Sequence, residues 1–181
     1  MQKSTPNGGI SENLKRDLEE SGLIHKTDHI TRLLYSTDAS IYQVMPLGVV
    51  WPREVSDVSA VVEIAEEHQV PVLPRGGGSS LAGQAIGEAL ILDFSRHMDQ
   101  ILAIDLEEMT VTAQPGVVLG PLNRKLASHK LTFGPDPASA DRATIGGVLG
   151  NNATGAHSIL YGMAHDHLIE AGAVLSDGSI A

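Results

Sequence analysis

The sequence predicts an α/β protein: a small parallel βαβ subdomain over residues 46–100, followed by a mixed α+β subdomain over residues 101–181. Three observations lead there. Short aliphatic runs alternate with an amphipathic helical pattern between residues 49 and 94, which is the signature of parallel strands joined by a crossover helix. Hydrophobic residues make up 42% of the 181 residues and aromatics only 3%, so the core is aliphatic. The 19 glycines are clustered rather than scattered, in two segments that each interrupt the pattern.

The elements follow in order. Residues 1–9 are polar and read as a disordered, tag-like leader, without the apolar stretch of a secretory signal. Ile10 to Leu23 reads as a helix, with Ile10, Leu14 and Leu18 four apart, Ser11 as N-cap and Gly22 as the stop. Residues 24–45 carry no clear period beyond a turn at Thr37-Asp38-Ala39-Ser40, and residues 1–45 together form a leader and helical extension. Val49-Val50-Trp51 is a buried strand closed by Pro52, with Trp51 in the core. Val55, Val58, Val61, Val62 and Ala65 define a helix whose acidic residues face solvent, and Val70 to Leu73 is a strand ending at Pro74. Ala89 to Phe94 is the next strand, and Ile101 to Leu106 with Thr110 to Ala113 reads as a hairpin around Glu107-Glu108-Met109. Leu119, Leu122 and Leu126 mark one face of a helix. Leu168 to Leu175 reads as a strand running into Ser176-Asp177-Gly178-Ser179, an Asp-Gly hairpin turn with two residues left for the returning strand. The expectation is therefore a piece of a longer polypeptide, its fold truncated at the C-terminus.

Composition removes several classes of function. The net charge of −10 excludes a generally basic nucleic-acid binder and disfavours anionic membrane surfaces. With no cysteine, these residues hold no disulfide, thiolate zinc site, cysteine nucleophile or iron–sulfur cluster. No apolar run approaches the ~20 residues of a membrane span, so a cytoplasmic protein is expected.

The first glycine segment is Pro74-Arg75-Gly76-Gly77-Gly78-Ser79-Ser80-Leu81-Ala82-Gly83-Gln84. Consecutive glycines allow successive N–H groups to converge as an anion nest, and two serine hydroxyls add donors. It is neither a Walker A loop, lacking Gly-Lys-Ser/Thr, nor a Rossmann fingerprint, since position 81 is Leu. A tight turn without a ligand is the alternative, and ligand binding is favoured over it from this segment alone. Arg75 pairs either with a phosphate or with a carboxylate such as Asp93. The second segment runs from Gly134 to Gly155: Thr144 can cap a short helix, Gly146, Gly147 and Gly150 admit a flat group close to the backbone, and Asn151, Asn152 and Thr154 offer neutral donors and acceptors. Together the two segments point to an extended, flat, phosphate-bearing ligand. Other constellations are weaker. His165-Asp166-His167 and His157 lack the further ligands of a closed metal site, and the former reads as a polar loop before the strand at Leu168. A Ser–His–Asp hydrolase is missing its Gly-x-Ser-x-Gly elbow.

Pro74 to Ser80, Ile104 to Leu106, Gln114-Pro115-Gly116-Val117, Pro135-Asp136-Pro137 and Thr144-Ile145-Gly146-Gly147 together resemble the FAD-binding (PCMH-type) domain of the vanillyl-alcohol oxidase / p-cresol methylhydroxylase superfamily. The nearest likeness is to its FAD-linked oxidase branch, which holds D-lactate dehydrogenases, glycolate oxidase flavoprotein subunits and D-2-hydroxyglutarate dehydrogenases. Gly150 to Gly162 resembles the long members that also carry an iron–sulfur region. The resemblance implies an FAD-binding domain over 46–181, with FAD extended between the two subdomains. Arg75, Gly76, Gly77, Gly78, Ser79 and Ser80, with Gln84, would wrap the pyrophosphate. Ser139, Thr144, Gly147, Asn151, Asn152, Ala153, Thr154 and Gly155 would line the flavin and ribityl side. Relatives that bind flavin covalently carry His near the place of Ser79, so non-covalent FAD is implied. The implied activity is oxidation of a D-2-hydroxy acid by hydride transfer to flavin, with a separate electron acceptor and a substrate domain beyond these residues, and so with no catalytic residue among them. The alternatives are a non-catalytic flavin- or nucleotide-binding module that meets its partner in trans, and an NADPH-dependent cell-wall precursor reductase, which the sequence at 150–162 fits poorly.

Overall fold

The computed structural model describes residues 10–181, so the leader expected at 1–9 lies outside the described residues. The chain divides into two compact units. Unit one holds the described residues up to Arg75, with Ser80–Asp93 and Gly172–Ala181; unit two holds Gly76–Ser79 and Phe94–Ala171.

Unit one begins with α1 (Glu12–Glu20), which buries Leu14 and Leu18. Ser11 caps it by accepting from the Leu14 N–H at 3.3 Å, and Gly22, at φ +70°, ends it. Two short elements follow that the sequence pattern did not reveal: β1 (His25–Lys26) and α2 (His29–Leu34), the latter capped by Asp28, which accepts from the Thr31 N–H at 3.0 Å. Three expected strands form: β2 (Gly48–Val50), β3 (Val72–Arg75) and β4 (Leu90–Asp93). Between β2 and β3 runs α3 (Val55–Glu67). The sheet order is β1-β2-β4-β3. β4 lies between β2 and β3 and pairs with both in parallel, while β1 joins β2 antiparallel. All four β4 residues are buried, as expected of a central parallel strand. Val49, Ile91 and Leu73 share a register row and pack with Trp51 and Tyr35 on one face.

On α3 the acidic side chains of Glu63, Glu66 and Glu67 are exposed as expected, but Asp57 is buried. Burial raises its carboxyl pKa, yet the hydrogen bonds from Arg53, whose N–H donates at 2.8 Å and whose Nε donates at 3.1 Å, bring the net shift below the usual value. α1 packs on α3, and His68 Nε2 lies 2.6 Å from Asp17 Oδ2 between them.

Unit two opens with the antiparallel hairpin β5 (Ile101–Asp105) and β6 (Thr110–Ala113), then α4 (Leu119–Ala127). Asp105 Oδ1 accepts from the Glu107 and Glu108 N–H groups and Met109 adopts φ +53°, which closes the turn. Ile101, Ile104, Val111 and Ala113 pack against Val117, Leu122 and Leu126, so one hairpin face and one helix face make a single core. The expected strand at Leu168 to Leu175 does not form. A 3₁₀ turn at Ala164–His167 replaces the expected polar loop. The only pairing beyond it is an isolated bridge, Val174 with Ile180, around the Asp177–Gly178 turn, which lies against Glu63 of α3. The physical reason is visible: residues 168–171 are exposed, and no strand among the described residues runs alongside to accept their ladder bonds.

Ile91 is fully buried between Val49 and Leu73. Ile91→Ala is expected to destabilise the protein by about 2–5 kcal/mol, read from urea or thermal unfolding.

Candidate functional site

The glycine loop grows out of β3. Arg75 is its last strand residue, and Gly76–Ser79 belong to unit two. Gly78 takes φ +63°, which reverses the chain locally. The N–H groups of Gly77, Gly78 and Ser79 meet no acceptor among the described residues. A run of unpaired donors in such a loop is the geometry of an anion nest.

The second glycine segment supports this loop. The Ile145 N–H donates to Val117 O at 2.8 Å, the Leu119 N–H to Ala143 O at 3.0 Å and the Gly146 N–H to Pro115 O at 2.9 Å, so residues 143–146 are pinned along residues 115–119. Ser139 O accepts from the Arg142 and Ala143 N–H groups at 2.8 and 2.7 Å, which turns the chain into that row. The result sets 142–144 against the loop backbone. A Cβ at Gly76 would overlap Thr144 Oγ1, and one at Gly77 would overlap the Arg142 carbonyl. Glycine is required at both positions by space alone.

Thr144 departs from expectation. It occupies the N-cap position of α5 (Ile145–Gly150), but its side chain makes no capping bond. Its hydroxyl is turned to Gly76, is 1% exposed, and has no hydrogen-bond partner among the described residues. An unsatisfied buried hydroxyl costs ~1–3 kcal/mol. Gly147 lies 3.4 Å, at its Cβ position, from the same oxygen. An orphaned donor beneath a loop of unpaired N–H groups fits an acceptor-rich anion.

The run that follows α5 is mostly self-satisfied. The Asn151 side chain donates to Gly147 O at 3.1 Å. Asn152, at φ +46°, accepts on Oδ1 from the His165 N–H at 3.0 Å. Ala153 is held on both sides, its N–H by Val148 O at 2.8 Å and its carbonyl by the Ala164 N–H at 3.2 Å. Thr154 is exposed, and the Gly155 N–H donates to Ser158 Oγ at 3.0 Å. A Cβ at Gly155 would overlap the Asp136 carbonyl, and His157 Nδ1 lies 3.1 Å from Asp136 Oδ2, so this end of the run is latched to residues 135–137. His165 and His167 are occupied separately, by Asn152 and by the Tyr161 carbonyl. Among the described residues no group of three acids or histidines could hold a metal ion.

In unit one, the Arg75 side chain faces backbone carbonyls rather than the Asp93 carboxylate. Its Nη1 donates to Ala85 O at 2.7 Å and its Nη2 to Thr37 O at 2.9 Å, and its guanidinium lies over the Tyr35 ring, 5.2 Å from the centroid. Asp93 is instead engaged by the Tyr35 hydroxyl at 2.5 Å and Trp51 Nε1 at 3.2 Å. Burial, and then the bond to the Asp93 carboxylate, push the Tyr35 phenol up to about 12. Ser80 and Gln84 bond to each other through their side chains, and the Gln84 N–H donates back to Ser80 Oγ at 3.2 Å. Sequence reasoning missed three participants: Tyr35, Asp38 and Arg142. The Thr37–Ser40 turn signal pointed to Asp38. Arg142 is exposed, is without a side-chain partner among the described residues, and stands two residues from Thr144.

Residues 46–181 match a family described as "FAD binding domain". The chain belongs to that FAD-binding family. The resemblance to the vanillyl-alcohol oxidase / p-cresol methylhydroxylase superfamily therefore holds. The chain is 38% identical over 173 residues to D-2-hydroxyglutarate dehydrogenase of Escherichia coli, an alignment covering 93% of this chain and 17% of that protein. It is 41% identical over 152 residues to glycolate oxidase subunit GlcD of Bacillus subtilis, covering 82% of this chain and 32% of that one. Its fold matches a solved xylooligosaccharide oxidase from Myceliophthora thermophila with TM-score 0.80 at 24% identity, over 92% of this chain and 36% of the other. The chain thus spans between 17% and 36% of the length of these relatives. Among its described residues no helix is long and apolar enough to cross a membrane.

Two outcomes follow from the orphaned hydroxyl and the half-buried phenol. Thr144→Val keeps the shape and removes the unsatisfied donor, so the flavin-free protein should gain ~1 kcal/mol in thermal or chemical denaturation, and saturating FAD should erase the gain. Tyr35 contributes stability that is intact below pH 10 and lost as pH rises toward about 12, because the unfolded phenol ionises first. Denaturation midpoints should fall over that window, and Tyr35→Phe should flatten the fall.

Proposed function

We propose that the chain is the FAD-binding portion of an oxidoreductase that oxidises a D-2-hydroxy acid, of the D-2-hydroxyglutarate, glycolate or D-lactate class. The observation that supports this most is the loop of unpaired N–H groups at Gly77, Gly78 and Ser79 above the partnerless Thr144 hydroxyl. On this reading the N–H groups of residues 76–79 hold the FAD pyrophosphate and Thr144 donates to it. Ser139, Gly147 and residues 151–155 line the flavin and ribityl side. Gln84 and Ser80 shape the far limb of the loop.

FAD supplies the two-electron acceptor that such an oxidation needs, and the protein's part is to bind and orient it. On this reading it is held non-covalently, since the loop carries Ser79 where a histidine would attach it. The groups that bind the hydroxy acid and take its proton belong to the length of the relatives that this chain does not span. The electron acceptor is a separate carrier, an iron–sulfur region or subunit, and the protein works in the cytoplasm. A net charge of −10 leaves nucleic acid out of the reading.

The test is a visible spectrum after mixing with FAD and desalting, followed by anaerobic addition of D-2-hydroxyglutarate, glycolate or D-lactate to the longer polypeptide that carries this chain. Retained flavin absorbance, and bleaching by one of the acids, are expected. Gly77→Val should weaken FAD binding at least about tenfold, ~1.4 kcal/mol. A colourless longer polypeptide would overturn the FAD assignment, and a yellow one that none of the acids bleaches would overturn the substrate class.

A further inference from the structure

We propose that Arg75 is a positioning residue for the cofactor loop: it staples the loop's two ends together and touches no phosphate. The ligand's identity rests on the FAD reading above; the staple itself rests on geometry. Arg75 begins the loop and Ala85, ten residues on, ends it. The Arg75 Nη1 donates to the Ala85 carbonyl at 2.7 Å and lies 3.5 Å from the Tyr35 carbonyl, while Nη2 takes the Thr37 carbonyl at 2.9 Å. The other side of Ala85 is gripped as well, its N–H donating to Asp38 Oδ2 at 3.3 Å. Asp38 is fixed in turn by the Ser40 N–H at 2.8 Å. Burial raises the Asp38 pKa, but the bonds from Ser40 and Ala85 and the nearby Arg75 charge outweigh it, so its carboxyl stays below the usual range and ionised. Tyr35, under the guanidinium, is anchored by its hydroxyl to Asp93, which faces Arg75 across the β3–β4 register.

This arrangement needs arginine specifically. A planar fork can serve three carbonyls at once and stack on a ring, whereas an ammonium is a point charge with no plane. A glycine-rich loop carries much conformational freedom, and tying its ends removes part of it before a ligand arrives, which raises affinity without a new ligand contact. A phosphate-binding arginine would keep its fork free; here both terminal nitrogens already face carbonyls.

The experiment titrates the longer polypeptide that carries this chain with FAD by fluorescence quenching, at low and high salt, for wild type, Arg75→Lys, Arg75→Met and Asp38→Asn, and follows amide exchange in each without ligand. The staple predicts that Lys does not rescue. Both Arg75 variants should bind about tenfold more weakly (~1.4 kcal/mol) and Asp38→Asn about threefold, all with the wild-type salt dependence. Amide exchange should rise at Ala82, Gln84 and Ala85, whose N–H groups are bonded in the loop, while β2 and β4 stay protected. Near-normal binding by Arg75→Lys, with a flattened salt dependence in Arg75→Met, would show a direct charge contact and overturn the proposal. So would unchanged affinity in Arg75→Met. If Arg75→Met loses protection in β2 and β4, the Lys and Asp38→Asn variants carry the comparison. If the wild-type longer polypeptide binds no FAD, the functional reading fails, and the exchange at Ala82, Gln84 and Ala85 still decides the staple: no rise in the variants overturns it.

Discussion

Residues 142–144 press against the backbone of Gly76 and Gly77 and leave no volume for a Cβ at either. Much of unit two is arranged around that contact. The row of hydrogen bonds between 115–119 and 143–146 fixes where the segment lies, and the core of Leu119, Ala143, Val148 and Ala164 holds it from behind. With the backbone this close, the loop cannot relax toward its support to satisfy its own N–H groups. The donors therefore stay without partners among the described residues, and on the proposed reading the FAD pyrophosphate removes the cost of leaving them and the Thr144 hydroxyl unpaired. On that reading stability without ligand is traded for affinity.

Much of the scaffold was legible because its signals are local. Ser11 with Leu14 and Leu18 specifies α1, and the Leu119, Leu122, Leu126 spacing specifies α4, since each records a periodic burial. The aliphatic runs at 48–50 and 90–93 specify strands buried on both faces. α2 escaped because its six residues leave Ile30, Leu33 and Leu34 exposed, so no buried face marks it. The two residues of β1 are too few for an alternation to register. Leu168 to Leu175 has a strand's composition without a neighbour to pair with, and composition alone does not supply one.

At the site, glycine content was read as room for an anion and a flat group; what the structure shows against Gly76 and Gly77 is Thr144 and the Arg142 carbonyl of the chain itself. What residue types could not convey was destination. Arg75 is consumed by carbonyls of residues 35, 37 and 85, which come together only in the folded unit. Thr144 is a good capping residue by type, and stands at the cap, yet its hydroxyl points elsewhere. Both are choices made by tertiary packing over local preference.

The strand order of unit one has a bearing on how the protein is made. β2 and β3 do not pair with each other; each pairs in parallel with β4, the last of the three in the chain. During synthesis from the N-terminus neither has its parallel partner until residues 90–93 have left the ribosome. Until then α1 and α3 can form and meet and β1 can pair with β2, but the other edge of β2 and both edges of β3 wait unpaired. Parallel pairing across some forty residues is slow to nucleate and exposed while it waits. The arrival of four consecutive buried residues, Leu90 to Asp93, joins β3 to the β1–β2 pair and completes the four-stranded sheet.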